Sequence, residues 1–387
     1  MYSLRSLIFA AVLAHGVIAG SRMWEAPLHY PSVDAPVEIT LSLEGVNVTQ
    51  VGTQSFNSTE KRWVTIKDGG AQGESRLLSH FKWPDKKIRF HFETEEAKQK
   101  LEVYLDAAKA LWSAAGLPDE FTYEEVTSEA DYQAKKGKIL LVKYNDRNYL
   151  GTSLGLPTQD DDGPSPVMDL CDSEKIGTLN IVANFAHELG HAWGLHHEHQ
   201  NPQFWTSPYT ATKGDRVQFG SGYGEFHCES LSDYEATKTR LIAQYGEGEG
   251  NARLRQSCEK RIHAIQNDFR GAMEWLPLHS SEDFVGSVKE FDERSIMLYP
   301  SRAGGSGTAT GQGADDGRAV ILTRAGGKEL DYNTAPSEQD VQGIRKLYGV
   351  PRKTYKSLFS ELKDPNNSRF TEERRKDEGT GCNTKEV

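Results

Sequence analysis

The chain has 387 residues, 37% of them hydrophobic, and a formal net charge of −11. That length suits two average domains, or one large two-lobed domain with processing segments around it. The acidic balance leaves no basic stripe to displace counterions from phosphates, which argues against a nucleic-acid partner, and beyond solubility it identifies no substrate.

The N-terminus reads as a targeting segment. Met1–Ser6 carries Arg5, Leu7–Ala19 is apolar and small, and Val17-Ile18-Ala19 is a fitting cleavage context, so residues 1–19 are expected to be a signal peptide. The run is too short for a bilayer and no other stretch approaches one, so the mature chain is expected to be secreted, extracellular and without a membrane span. Residues 20–75 differ in texture, with sequons at Asn47-Val48-Thr49 and Asn57-Ser58-Thr59, alternation over Arg62–Ile66, and a Gly-rich stop at Asp68–Gly73. A glycosylated propeptide removed near Arg76 suits this segment. A small module that stays attached is the competing reading.

Ile88–Phe92 reads as a strand. Thr94 then caps a helix with Glu95 and Glu96 in its first turn and Gly116 near its end. Leu101, Tyr104, Leu105, Ala108, Leu111 and Trp112 give it one apolar face, a core face. Ile139–Tyr144 reads as a buried strand, followed by Leu150–Gly155. Asp160-Asp161-Asp162 has the carboxylates a calcium ion would want, but between Gly and Pro a solvated loop is the plainer reading.

The densest chemistry lies at His187-Glu188-Leu189-Gly190-His191-Ala192-Trp193-Gly194-Leu195-His196-His197, an HExxHxxGxxH run. Imidazoles four residues apart share a helix face, so His187 and His191 can reach one ion while Glu188 projects beside them as a general base. Gly194 can adopt a left-handed conformation, end the helix and bring His197 round as a third ligand. Three protein ligands leave a fourth position open, the mark of a catalytic zinc and not a structural one. One Zn2+ per chain is expected. Spacing excludes His196 and His199 from the ligand set.

Between His199 and Met297 two helical patterns appear, one from Ser232 with Glu235 at capping-box spacing and one over residues 251–269. Trp205, Tyr209, Phe219, Tyr223 and Phe226 suit either a cleft or the core of this insertion. In a secretory compartment Cys171, Cys228, Cys258 and Cys382 allow two disulfides in three connectivities. Cys228 with Cys258 would brace the insertion, leaving Cys171 for Cys382; a free Cys382 is the alternative.

Arg294-Ser295-Ile296-Met297-Leu298-Tyr299-Pro300 resembles the Met-turn of metzincin metallopeptidases, and its Ser-Ile-Met-x-Tyr form, with Glu198 directly after His197, is similar to the astacin family. The likeness extends to Lys82-Trp83-Pro84 before the first strand and to Ser337–Gly349. It implies an α+β fold, a two-lobed zincin catalytic domain over residues 76–350 with a twisted mixed sheet and an active-site helix. It also implies Met297 as an apolar floor beneath the imidazoles and Tyr299 as a catalytic group near the metal, with a purely structural tyrosine as the alternative. Many astacins are silenced by a propeptide carboxylate, for which Asp34 and Asp68 are the candidates here. Animal members usually carry Arg where this chain has Asn201, so the sequence reads as a divergent branch.

The implied activity is a monomeric, secreted zinc metalloendopeptidase made as a zymogen and hydrolysing peptide bonds in protein or peptide substrates. A silent binding protein on the same scaffold is the alternative, and a peptidase or amidase of another metzincin type is a third. Past the Met-turn, Gly304–Gly317 reads as a flexible loop. The last helix has Ser337 and Asp340 as a cap pair and Val341, Ile344, Leu347 and Tyr348 facing inward. Residues 351–387, with the sequon Asn366-Asn367-Ser368, read as a charged, weakly ordered tail.

Overall fold

The computed structural model describes residues 64–66, 81–157, 159–206, 218–219, 224–278, 284–286 and 291–351. The signal peptide, all three sequons, Asp34, Asp68, Tyr209, Tyr223, Cys382 and the tail beyond Pro351 lie outside them. Contacts divide the chain into a unit through Tyr348 and a second from Gly349 onward. Among the described residues no helix is long and apolar enough to cross a membrane.

β1 (Val64–Ile66) comes from the 20–75 segment, and it pairs antiparallel with Phe284–Gly286 of the insertion. The main sheet begins at β2 (Lys87–Phe92). The expected helix follows as α1 (Glu95–Ala114), with Ala97 N donating to Thr94 Oγ1 at 3.1 Å. Leu101, Leu105, Ala108 and Trp112 are buried on the face expected of them. After β3 (Thr122–Glu125) and α2 (Glu129–Ala134), β4 (Leu140–Tyr144), β5 (Gly151–Thr152) and β6 (Val167–Leu170) complete five strands in the order β3-β2-β4-β6-β5. The first four run parallel and β5 is the antiparallel edge, so the fold is mixed α/β with a mixed sheet.

α3 (Ile181–Trp193) carries the histidine motif and is buried along its whole length from Ala183 to Trp193. A helix buried on all sides belongs in a core, and indole N–H donors anchor this one there. Trp112 donates to Ala186 O at 2.8 Å, Trp83 to Ala192 O at 2.7 Å, and Trp193 itself to the Tyr123 hydroxyl at 2.8 Å. Each bond joins α3 to a different part of the scaffold. Removing any one would leave a buried polar group unsatisfied.

After α3 the chain forms a small sheet from β7 (Trp205–Thr206), β8 (Gln218–Phe219) and β9 (Gly224–Glu225), then four helices. Here the structure corrects two expectations. The first helix, α4 (Tyr234–Tyr245), is not capped by Ser232: its N-cap is Asp233, with no side-chain cap bond. Ser232 N is committed to Gly304 O, and Asp233 Oδ2 accepts from Gly271 N at 2.9 Å, so tertiary partners displace the local box. The expected single helix over 251–269 is instead α5 (Glu247–Glu259), α6 (Arg261–Gln266) and α7 (Arg270–Trp275). Lys260 is extended, and Asp268 takes φ 46° while Arg240 binds the carbonyls of Asn267 and Asp268; that turn brings Phe269 to 0% exposure. Burying one aromatic outweighs continuing a polar helix.

Cys228 and Cys258 form the expected disulfide, 30 residues apart, worth roughly 3–4 kcal/mol by loop closure. Cys171 is a buried free thiol after β6, and Cys382, its expected partner, lies outside the described residues. Asp161 pairs with Lys138 at 2.8 Å, and that hydrogen bond lowers its pKa, which accords with the loop reading of the aspartate run. The Gly304–Gly317 segment is held by more than expected, with Ser306 N bonded to Ser230 O and Ala319 N to Ser306 O. β10 (Phe284–Gly286) closes the insertion, and α8 (Glu338–Leu347) has the Ser337/Asp340 capping box with Val341 and Ile344 buried.

Candidate metal centre

Local chemistry positions the first two histidines. Asn180 caps α3 by accepting from Ala183 N at 3.0 Å, and Gly194 ends the helix at φ 101° with Leu195 N bonded to Gly190 O. That left-handed stop costs a glycine little and any other residue strain. It reverses the chain so that His197 returns to the helix face it has just left.

The three imidazoles converge. His191 Nε2 lies 3.1 Å from His187 Nε2 and 3.1 Å from His197 Nε2. A tetrahedral ion with bonds of about 2.0–2.1 Å to nitrogen separates its ligand atoms by about 3.3 Å, close to this spacing. All three rings are nearly inaccessible, at 0%, 4% and 3% exposure for His187, His191 and His197. Among the described residues this is the one cluster of His, Cys, Asp and Glu able to hold a metal.

The opposite ring nitrogens settle the protonation. His187 Nδ1 lies 2.6 Å from Ile296 O, His191 Nδ1 2.7 Å from Leu195 O, and His197 Nδ1 3.0 Å from Gln200 Oε1. A carbonyl oxygen only accepts, so each Nδ1 carries the proton, and each ring, when neutral, offers its lone pair at Nε2. Three lone pairs pointed at one another in a buried space repel unless a cation lies between them. The donor set therefore fits a metal ion, and neutral imidazole suits zinc.

Glu188 is fully buried beside His187 on α3. Burial pushes the Cys171 thiol up to about 11, with the charges of Asp172, Asp169 and Glu188 adding to the effect. Tyr299 is brought to the cluster as expected, its ring centroid 4.3 Å from that of His197 and 5.9 Å from that of His187. His199 stacks on His197 with centroids 5.2 Å apart and directs Nε2 to Glu274 O, so it packs against the cluster from outside. His196 is likewise outside the cluster.

Met297 is buried at 1% exposure and packs against Gly190 of α3. Its Sδ would be 2.3 Å from a Cβ built on Gly190, with Trp112 at 3.2 Å, so the second variable position of the HExxH stretch has no room for a side chain. Gly190→Ala is expected to lower Tm by a few degrees. Overpacking of about 1–3 kcal/mol outweighs the roughly 1 kcal/mol an alanine gains in a helix. A thermal melt with unchanged or raised Tm would show that Met297 swings clear.

Asp340 and Glu198 hold the Ser295–Tyr299 segment in place. Ser295 Oγ donates to Asp340 Oδ1 at 2.6 Å and Ile296 N to Asp340 Oδ2 at 2.8 Å, while Ile296 O receives the His187 proton. Burial pushes the Asp340 carboxyl up to about 6, against the hydrogen bonds from Ser295, Ser337 and Ile296. Glu198, lacking an arginine at position 201, accepts from Asp292 N at 3.0 Å and so also ties the His197 turn to the segment that leads into Ser295. Asp340 was visible in sequence only as a helix cap; nothing in its spacing connects it to His187.

No family model and no curated protein matches this chain. Among solved structures it is similar to high choriolytic enzyme 1, a hatching enzyme zinc-protease from Oryzias latipes (medaka fish), at 12% identity and a TM-score of 0.37, covering 73% of this chain and 99% of that one. At that level of likeness the functional reading rests on the chain's own residues.

Proposed function

We propose that the protein is a secreted zinc metalloendopeptidase of astacin type, made with a signal peptide and a propeptide. The observation that carries this reading is the convergence of three buried Nε2 lone pairs on one point, with Glu188 on the same helix. His187, His191 and His197 would hold the ion, which when bound acidifies water and polarises a carbonyl. Glu188 takes a proton from the attacking water and delivers it to the leaving nitrogen, so one water is consumed as the C–N bond breaks and C–O and N–H bonds form. Tyr299 offers a hydroxyl donor to the developing oxyanion. Low solvent access around Glu188 strengthens each of these charge interactions.

An extended peptide has a natural place beside β5, the antiparallel edge of the sheet. Gly155 N, just beyond that strand, bonds to His191 O at 2.9 Å, which ties the edge to the zinc helix. Strand addition there would bring a substrate backbone past the metal, and fits protein or peptide substrates. The Cys228–Cys258 disulfide accords with an oxidising route of synthesis.

The test is casein cleavage by the purified chain after N-terminal trimming. Activity is expected to vanish with a chelator and return on zinc addition, with about one zinc per chain. Stoichiometric zinc without cleavage would favour the binding-protein alternative. Cleavage indifferent to chelation would end the metal reading.

A further inference from the structure

We infer that Gln200 is a positioning residue for the metal: its side-chain amide, oriented by the end of α7, holds His197 in the tautomer that offers Nε2 to the ion. This rests on the proposed metal reading of the three histidines. The other two ligands receive their acceptor from backbone oxygens, Ile296 O and Leu195 O. His197 Nδ1 faces a side-chain oxygen instead, and that side chain can rotate unless something orients it.

The orientation is set by what lies on the far side of the amide. Gln200 Nε2 is 3.2 Å from Met273 O, 2.9 Å from Glu274 O and 3.4 Å from Leu276 O. Those carbonyls belong to the last turn of α7 and its C-cap, where oxygens have no helical partner, and they can only accept. The amide must therefore turn its NH2 toward them. Its oxygen then faces His197 Nδ1 at 3.0 Å, and an amide oxygen cannot donate, so the proton sits on Nδ1. The Gln200 backbone is fastened as well, N to His197 O at 3.2 Å and O to Leu278 N at 2.9 Å. Glu274 Oε2 lies 4.0 Å from the same imidazole nitrogen, within ion-pair range but beyond hydrogen-bond reach, whereas Gln200 Oε1 is at 3.0 Å.

The consequence concerns the insertion. α7 lies 73 and 74 residues beyond Gln200 at its two closest carbonyls, so the state of a ligand near the start of the insertion is decided near its end. Trp275 reinforces the link, its ring 4.8 Å from His199 and 5.3 Å from Tyr299 between centroids. The insertion helices thus back the third ligand, whatever else the insertion contributes.

Two substitutions separate positioning from packing. Gln200→Met fills the volume and removes both acceptor and donors. Gln200→Glu keeps an acceptor facing Nδ1 but sets a carboxylate against three carbonyls, so it should be the less stable chain of the two. If Gln200 acts on the metal, zinc affinity measured against a competing chelator falls about 10–100-fold in Gln200→Met and by less in Gln200→Glu, opposite to the order of Tm. Affinity that follows Tm, or that is unchanged in both, overturns the inference. Should neither variant fold, long-range 1H–15N NMR of the metal-free wild type with labelled histidine decides: His197 protonated on Nδ1 supports the inference, and protonation on Nε2 overturns it. A wild type that takes up no zinc defeats the metal reading itself, an outcome distinct from these.

Discussion

Glu188→Gln is expected to lower kcat/KM on a peptide substrate by at least about 10²–10⁴-fold, the usual contribution of a general acid–base, while about one zinc per chain is retained. Glutamine matches glutamate in shape but cannot accept a proton at neutral pH. The side chain is fully buried, so bulk water has little access to stand in as base. The substitution also removes a buried negative charge, and the metal-free variant should melt higher than the metal-free wild type, because desolvating a carboxylate costs more than desolvating an amide. Activity loss with intact zinc content and a raised metal-free Tm would together assign the base. Near-wild-type turnover would remove Glu188 from the mechanism.

His191→Ala should abolish metal binding and hydrolysis together. Its Nε2 is the common neighbour of the other two, 3.1 Å from each, so its loss leaves His187 and His197 without the atom that joins them into one site. Removal of a supporting partner already costs up to about 100-fold in affinity, and loss of a ligand should exceed that. The change also takes away the Nδ1 donor to Leu195 O at the stop of α3, so some loss of stability accompanies it. His199→Ala is the control. It removes a ring packed against His197, Trp275 and Tyr299 and should destabilise the chain without removing a ligand. Stoichiometric, tight zinc in His191→Ala would refute the three-histidine site.

The three-histidine cluster was legible because its geometry is almost wholly local. Four residues along a helix, a glycine that turns left-handed and three more residues suffice to place three imidazoles. The same locality made α1 legible, since Thr94 and a face at helical spacing are read within one segment. Where a local signal competed with a distant partner it misled. Ser232 and Glu235 have the spacing of a capping box, yet Asp233 answers to Gly271 N and Ser232 N to Gly304 O. Residues 251–269 carry a continuous helical pattern, yet the burial of Phe269 breaks it.

By itself, then, the sequence determined which atoms could bind a metal and where the helix that carries them stops, while it left three cysteine pairings open for the structure to decide. Tertiary structure alone decided the protonation of those atoms. The proton on His187 Nδ1 depends on a carbonyl of the Met-turn, which Asp340 holds from the last helix, and the proton on His197 depends on a glutamine oriented by α7. Such partners have no fixed spacing from the ligands they serve. A hydrogen-bond acceptor is defined by direction and distance in space, and only the folded chain supplies either.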